Sequence, residues 1–311
     1  MAKRAYTQAN RLMAITTPLG EDTLLLRSLN GTESISRLFE YHLELLSEND
    51  AIDFSSIVGK QANVRIRLAD DTERHFNGFI SRFSQGGCDG RITSYHAEMV
   101  PWLWFCTRTA DCRIFQQKAV PDIIQQIFRD LGFDQFSLHL VRSYSPRDYC
   151  VQYRETDFDF VSRLMEEEGI FYFFEHSASA HRMIIADDCS ANKPCPNQPK
   201  AHYQISEGGW HDEDLVNEWR LEQLLRPGKW AHTDYNFESP GTDLMTTVAG
   251  ENSFEIYDYP GEYAKRADGD ALVKIRLQEE TSAGVVAHGS GSCRAFGSGF
   301  CVFQSIFEPR T

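Results

Sequence analysis

Two segments near the N-terminus alternate strictly between apolar and polar residues. Phe39, Tyr41, Leu43 and Leu45 are interleaved with Glu40, His42 and Glu44; Ala62, Val64, Ile66 and Leu68 are interleaved with Asn63, Arg65 and Arg67. A period of two puts one set on each face of a strand, whereas a helix would scatter the same apolar residues around its circumference. Both segments therefore predict antiparallel strands with one face on a core and one in water. Tyr95, Ala97 and Met99 repeat the pattern against His96 and Glu98. Residues 12–16, 24–26 and 75–83 read as further short strands. Asn30-Gly31 reads as a hairpin turn, Gly78 as a bulge, and Gly86-Gly87 with Asp89-Gly90 as a loop. Short strands with turn signals between them predict a β-barrel over residues 1–107.

The next hundred residues change character. Pro101-Trp102-Leu103-Trp104-Phe105 reads as packing between the barrel and the unit after it. Val120, Ile123, Ile124, Ile127, Phe128 and Leu131 form one helical face, with Pro121 at its start and Gly132 at its stop. Residues 151–176 then read as strand, helix, strand. Thr156 caps the helix with Asp159 three residues on, and Phe160, Val161, Leu164 and Met165 form its stripe. Glu166, Glu167 and Glu168 read as a solvated end, Gly169 as the left-handed stop, and residues 170–174 as a buried strand. The segment 189–200, with Pro194, Pro196 and Pro199, reads as a loop or linker. Beyond residue 203, strands return at 215–221, 228–237 and 254–259. A helix over 266–280 comes next, with Leu272, Ile275 and Leu277 as its buried contacts. The fold class expected is α+β, mainly antiparallel β, in three parts: a barrel over 1–107, a mixed α/β insertion over 108–202, and a second barrel with a helix over 203–311.

A chain of 311 residues can bury a sizeable core in two or three packed parts. Its net charge of −14 argues against nucleic acid as a partner, which needs a basic patch. The N-terminal residues do not read as a secretory signal, and no apolar run reaches the ~18 residues of a membrane span, so no membrane partner is expected. Eight scattered cysteines without a CxxC read as reduced, mostly packed thiols. His232 and Asp234 read as a strand-surface pair lacking a third metal ligand. His202, Glu207, His211 and Asp212-Glu213-Asp214 lack calcium-loop spacing. His176 and His181 flank a Ser/Ala loop and read as solvent-facing. HExxH, GxSxG and P-loop patterns are absent. A pair of carboxylates assembled by the fold, as in glycoside hydrolysis, is not readable from a sequence. No catalytic, cofactor-binding or metal residue is assigned, no cofactor is expected, and the chain is not expected to be an enzyme.

Tyr153-Arg154-Glu155-Thr156-Asp157-Phe158-Asp159-Phe160, then Leu164-Met165-Glu166-Glu167-Glu168-Gly169-Ile170 and Tyr172-Phe173, resemble the VgrG spike-tip proteins of type VI secretion systems. Asp234-Tyr235-Asn236-Phe237 resembles a strand motif of that family. Tyr257-Asp258-Tyr259-Pro260-Gly261-Glu262-Tyr263, Ser292-Cys293-Arg294 and Gly297-Ser298-Gly299 extend the resemblance. It implies a phage tail-hub fold: two small β-barrels with an α/β insertion, assembled as a homotrimer that docks on the hexameric tube protein Hcp. Effector or adaptor proteins are further partners it implies. The implied route is cytoplasmic assembly and then secretion. The resemblance stops near Gly299; residues 300–311 depart from it, and on this reading the OB-fold and needle of the family are missing, which puts the trimer in question. The alternatives are a prophage tail hub of the same fold, a wall-degrading hydrolase delivered by such an apparatus, and a soluble effector adaptor.

Overall fold

The computed structural model describes residues 6–204 and 214–305. The chain divides into two compact units, one of Met1–His202, Gly209–Leu215 and Cys293–Thr311, the other of Tyr203–Gly208 and Val216–Ser292.

The first unit begins with six strands: β1 (Met13–Thr16), β2 (Leu25–Thr32), β3 (Glu40–Ser47), β4 (Gln61–Arg67), β5 (Glu73–Cys88) and β6 (Thr93–Val100). They form one antiparallel sheet in the order β1-β4-β5-β6-β3-β2. The alternation delivers its promise: Tyr41, Leu43, Leu45, Val64, Tyr95 and Met99 are buried on the inner side. The curled sheet leaves β1 and β2 as its two ends, and the buried Gln8 side chain links them. Its Oε1 accepts from the Ile15 and Leu26 N–H groups at 2.9 and 3.0 Å. Its Nε2 donates to the Ile15 and Leu24 carbonyls at 3.2 and 3.1 Å. One side-chain amide thus does what a rung of backbone does between paired strands, and hides edges that would otherwise be open.

Three glycine readings are corrected. Asn30-Gly31 is not a turn; both lie inside β2, opposite His42 and Tyr41. Gly31 is there for close approach, since a Cβ would fall 2.4 Å from the Tyr41 ring. Gly78 pairs regularly with Ala62, and the β5 irregularities lie at Ile80/Arg82 and Gln85/Cys88. Gly86-Gly87 continues β5 rather than forming a loop.

The insertion comprises β7 (Ala110–Phe115), α1 (Val120–Asp130), β8 (Phe136–His139), β9 (Cys150–Thr156), α2 (Asp157–Glu167), β10 (Phe171–His176) and β11 (His181–Ala186). β7 pairs with β9, and β10, β11 and β8 form a second sheet in that order. Both helices obey their sequence signals. Thr156 Oγ1 accepts from the Asp159 N–H at 3.0 Å and donates to Asp159 Oδ2 at 2.7 Å, a cap worth about 1 kcal/mol. Gly132 and Gly169 take positive φ at the two C-terminal ends. Buried Trp102 stacks on Phe133 and meets Phe128 edge-on, both at 4.9 Å, which is the packing role expected of that aromatic run. One core runs from Leu43 and Ile80 through Trp102 and Phe128 to Leu164 and Met183. The glutamate run is not a solvated end. Arg147 reaches Glu167 and Glu168 at 2.7 Å, and Arg163 reaches Glu167 at 3.0 Å, because the residue 140–149 loop returns beside the helix terminus.

β12 (Lys200–Tyr203) marks the end of the first long stretch. The second unit then holds β13 (Leu215–Gln223), β14 (Lys229–His232), β15 (Thr246–Ala249), β16 (Glu255–Asp258), α3 (Arg266–Thr281) and β17 (Val285–Gly291). β13 and β17 pair antiparallel as a ribbon, and β14 lies between β15 and β16. Residues 234–237, expected as strand, are loop. The Asp234 carboxylate organises them, accepting from the N–H groups of Tyr235, Glu262 and Tyr263. The buried contacts of α3 are Gly269 and Val273, while Leu272, Ile275 and Leu277 are only half-buried. The Tyr263 ring occupies the space beside Gly269, where a Cβ would sit 2.4 Å from it, and its hydroxyl donates to the Leu244 and His232 carbonyls. The last described strand, β18 (Phe303–Ser305), pairs parallel with β12 within the first unit. Among the described residues no helix is long and apolar enough to cross a membrane.

Candidate functional site

Several ionisable groups buried in the first unit are engaged with one another and with backbone. Asn77 on β5 receives the β10–β11 hairpin. Its side-chain oxygen meets Nδ1 of His181 at 3.1 Å and accepts from Gln61 at 2.7 Å; its backbone N–H donates to Nδ1 of His176 at 3.1 Å. Nε2 of His181 accepts the Trp102 N–H at 2.9 Å. These two histidines are therefore not solvent-facing. Burial holds both imidazoles neutral and lowers each pKa to about 3, helped by the Arg74 charge for His176 and by His176 for His181. An imidazole held in its neutral form by burial is a poor general acid or base near pH 7.

Asp157, also buried, takes Arg113, Thr109 Oγ1 at 2.7 Å and Gln152 Nε2 at 2.8 Å. Arg74 holds Glu33 at 2.9 Å and the carbonyls of Arg294 and Phe296. Glu33 in turn accepts the Ser298 N–H at 3.1 Å. This fixes residues 294–298 to the first barrel. Asp214 is taken by Arg294 at 2.9 Å; Glu207, His211, Asp212 and Glu213 lie outside the described residues. His232 is buried rather than on a strand surface. Its Nε2 lies 3.1 Å from the Gly269 carbonyl, while Asp234 serves other backbone groups, so the two make no ligand pair. The eight cysteines are free thiols. Cys106, Cys150 and Cys195 are packed, but Cys88, Cys112, Cys189 and Cys301 are exposed. Burial pushes the Cys106 thiol up to about 12. Such an arrangement positions chain segments rather than reacting groups.

The second unit presents a different kind of feature. On the β13–β17 ribbon, Glu218, Arg220 and Glu222 share one face, with an Arg220–Glu222 ion pair at 3.0 Å. Trp219 and Leu221 lie on the other, with Gly289 and Ala287 opposite them and Val285 opposite Gln223. Gly289 keeps that face flat, since a Cβ there would meet Trp219 Cε3 at 3.3 Å. Trp219, Leu221 and Val285 are 44%, 66% and 59% exposed. Large apolar side chains grouped on one open face mark a surface for another molecule. The alternation of Trp219 and Leu221 with charged residues is visible in the sequence. Their partner strand is not, because Val285–Gly291 is rich in glycine and ends in Gly-Ser-Gly.

Residues 32–303 match the phage tail baseplate hub (GPD) family. The chain belongs to that family. It is 40% identical over 311 residues to the type VI secretion system spike protein VgrG1b of Pseudomonas aeruginosa, covering 98% of this chain and 42% of that one. It is 37% identical to VgrG1a of the same organism, over 97% of this chain and 48% of the relative. This hub chain thus spans less than half the length of these relatives. Among solved structures it is similar to the E. coli c3393 protein, a type VI secretion component resembling the T4 phage tail proteins gp27 and gp5. That match has a TM-score of 0.67 at 18% identity and covers 92% of this chain and 68% of the other. The 43 kDa tail protein of prophage MuSo2 from Shewanella oneidensis matches with a TM-score of 0.55 at 10% identity, over 88% and 80% of the two chains. The α+β, mainly antiparallel, tail-hub-like fold class is that of these structures. The matched region is the hub, a structural part of such proteins and not an enzyme.

Proposed function

We propose that this chain works as the hub at the base of a type VI secretion spike. In this reading it self-associates as a trimer through the apolar face of the β13–β17 ribbon and docks on the ring of the tube protein Hcp. Residues 1–107 and 203–311 are the two ring-forming parts, joined by the insertion 108–202. Three copies of two similar parts present six quasi-equivalent surfaces, the symmetry a hexameric tube requires. The observation that carries the reading is the uncovered row of Trp219, Leu221 and Val285. With 44%, 66% and 59% of these side chains still exposed, covering them contributes roughly half of the ~1.5–3 kcal/mol that full burial of each would, a favourable term for self-association. Assembly in the cytoplasm and export through the apparatus complete the proposal, with effector or adaptor proteins as further partners.

Light scattering of the purified chain, with and without Hcp hexamers, tests it. A trimer that shifts to a larger complex on addition of Hcp is expected; a monomer that ignores the tube protein contradicts it. The similarity to prophage tail proteins favours one second reading, a phage tail hub, which would bind a phage tube protein in the same assay and leave Hcp untouched.

A further inference from the structure

The outer face of the first barrel carries a cluster of three side chains with metal-ligating atoms. The β3–β6 register sets His42 directly opposite Glu98, and Glu40 lies two residues before His42 on the same face. One ligand atom from each of Glu40, His42 and Glu98 can be drawn from a set lying within 4.8 Å of one another. Nε2 of His42 is already 3.3 Å from Oε1 of Glu40. Two ligands bonded to a tetrahedral ion at about 2.0–2.1 Å stand about 3.3–3.4 Å apart, so this pair has a coordinating spacing before any ion arrives. The three groups differ in kind, one imidazole and two carboxylates. The two carboxylates balance the charge of a divalent cation, and the imidazole is a donor suited to zinc rather than to calcium or magnesium.

Two further features shape the place. Ser28, Asn30, Glu44, Ser84 and His96 line, with His42 and Glu98, a polar hollow of about 430 Å³ over the same strands. It leaves room for a water as the fourth ligand. Cations border the site: Arg82 donates to Oε1 of Glu98 at 3.2 Å, and Arg27 lies 3.8 Å from Glu44. The second carboxylate oxygen of Glu98 is not committed to that bond, so Arg82 competes with a metal without blocking it.

We propose that Glu40, His42 and Glu98 form a divalent transition-metal site on the first barrel, of the borderline kind that takes zinc. It clips β3 to β6 from the outside, across rows whose other faces are buried in the core. Because it uses the first unit alone, it stands or falls independently of self-association and tube docking.

Calorimetric titration of the whole chain with zinc chloride tests the site, comparing wild type with His42→Ala, Glu40→Gln and Arg82→Ala. A class of binding that weakens about tenfold or more in His42→Ala and Glu40→Gln is expected, with unchanged or tighter binding in Arg82→Ala. Zinc should also raise the melting temperature of the wild type and not of His42→Ala. The altered side chains are all solvent-accessible, so the apo variants should melt with the wild type, and Glu40→Gln repeats the test should His42→Ala fold poorly. Isotherms that coincide in wild type and both ligand variants would overturn the site and assign any zinc heat to the exposed thiols.

Discussion

The two units spend their aromatic residues in opposite ways. In the first, Trp102, Phe39, Tyr95, Phe128, Phe160 and Tyr172 are all sealed inside one core. In the second, the buried large hydrophobics among the described residues are few, Leu244, Tyr263 and Val273 chief among them. Trp219, Leu221, Leu225, Tyr235, Phe237, Phe254, Tyr257 and Tyr259 stand exposed. Amphipathic strands occur in both, as at Tyr41–Leu45 and at Trp219–Leu221. The lesson is that an amphipathic strand states only that it needs an apolar neighbour, and not whether that neighbour belongs to its own chain.

The contrast can be broken most forcefully with two tryptophans. Trp102→Ala should cost about 3–5 kcal/mol of stability, measured by denaturant unfolding, because it empties a packed site in the core. A loss below 1 kcal/mol would mean that the barrel and insertion do not share a core.

Acid gives the next largest effect. The folded pKa values of His176 and His181, about 3, lie below the ordinary value of 6.5. Between those limits the unfolded chain takes up protons that the folded chain refuses, so stability is complete above about pH 6.5 and drains as pH falls toward 3. At pH 5 the loss should be about 2 kcal/mol per histidine. Unfolding followed from pH 7 to pH 4 checks it, and replacing both histidines with glutamine should flatten the profile.

Gln8→Ala should cost about 1–3 kcal/mol, since four backbone groups of Ile15, Leu24 and Leu26 lose their shared partner. Hydrogen exchange at Ile15 and Leu26 should quicken first. The smallest effect on stability belongs to Trp219→Ser, about 1 kcal/mol for the isolated chain, because the side chain is 44% exposed and only its covered part is lost. That small loss, set against Trp102→Ala, is the sharpest form of the comparison.

Much of the first unit was legible because its signals are local. Alternation at Tyr41–Leu45, the Thr156 cap and the Gly132 and Gly169 stops each act within a few residues. The errors came where a distant segment overrode a local rule. Gly31 serves the approach of Tyr41 and not a turn, and Asp234 is drawn into a loop by the backbone of Glu262 and Tyr263. Glu167 and Glu168 are claimed by Arg147 from another loop. The same holds for sites. His42 and Glu98 are 56 residues apart in sequence, and only the strand order makes them neighbours. The apolar ribbon face was half legible, since Trp219 and Leu221 alternate visibly but β17, lacking a strand composition, hid the surface they share.

The central claim, that the ribbon of the second unit is an assembly surface, is tested most directly by mass as a function of concentration. Light scattering of the wild-type chain should give a mass rising above its 35.6 kDa toward a trimer, while a folded Trp219→Ser, Leu221→Ser double variant stays at the single-chain mass. A wild-type chain that remains at single-chain mass at every concentration, or a double variant that assembles as well as its parent, would contradict it.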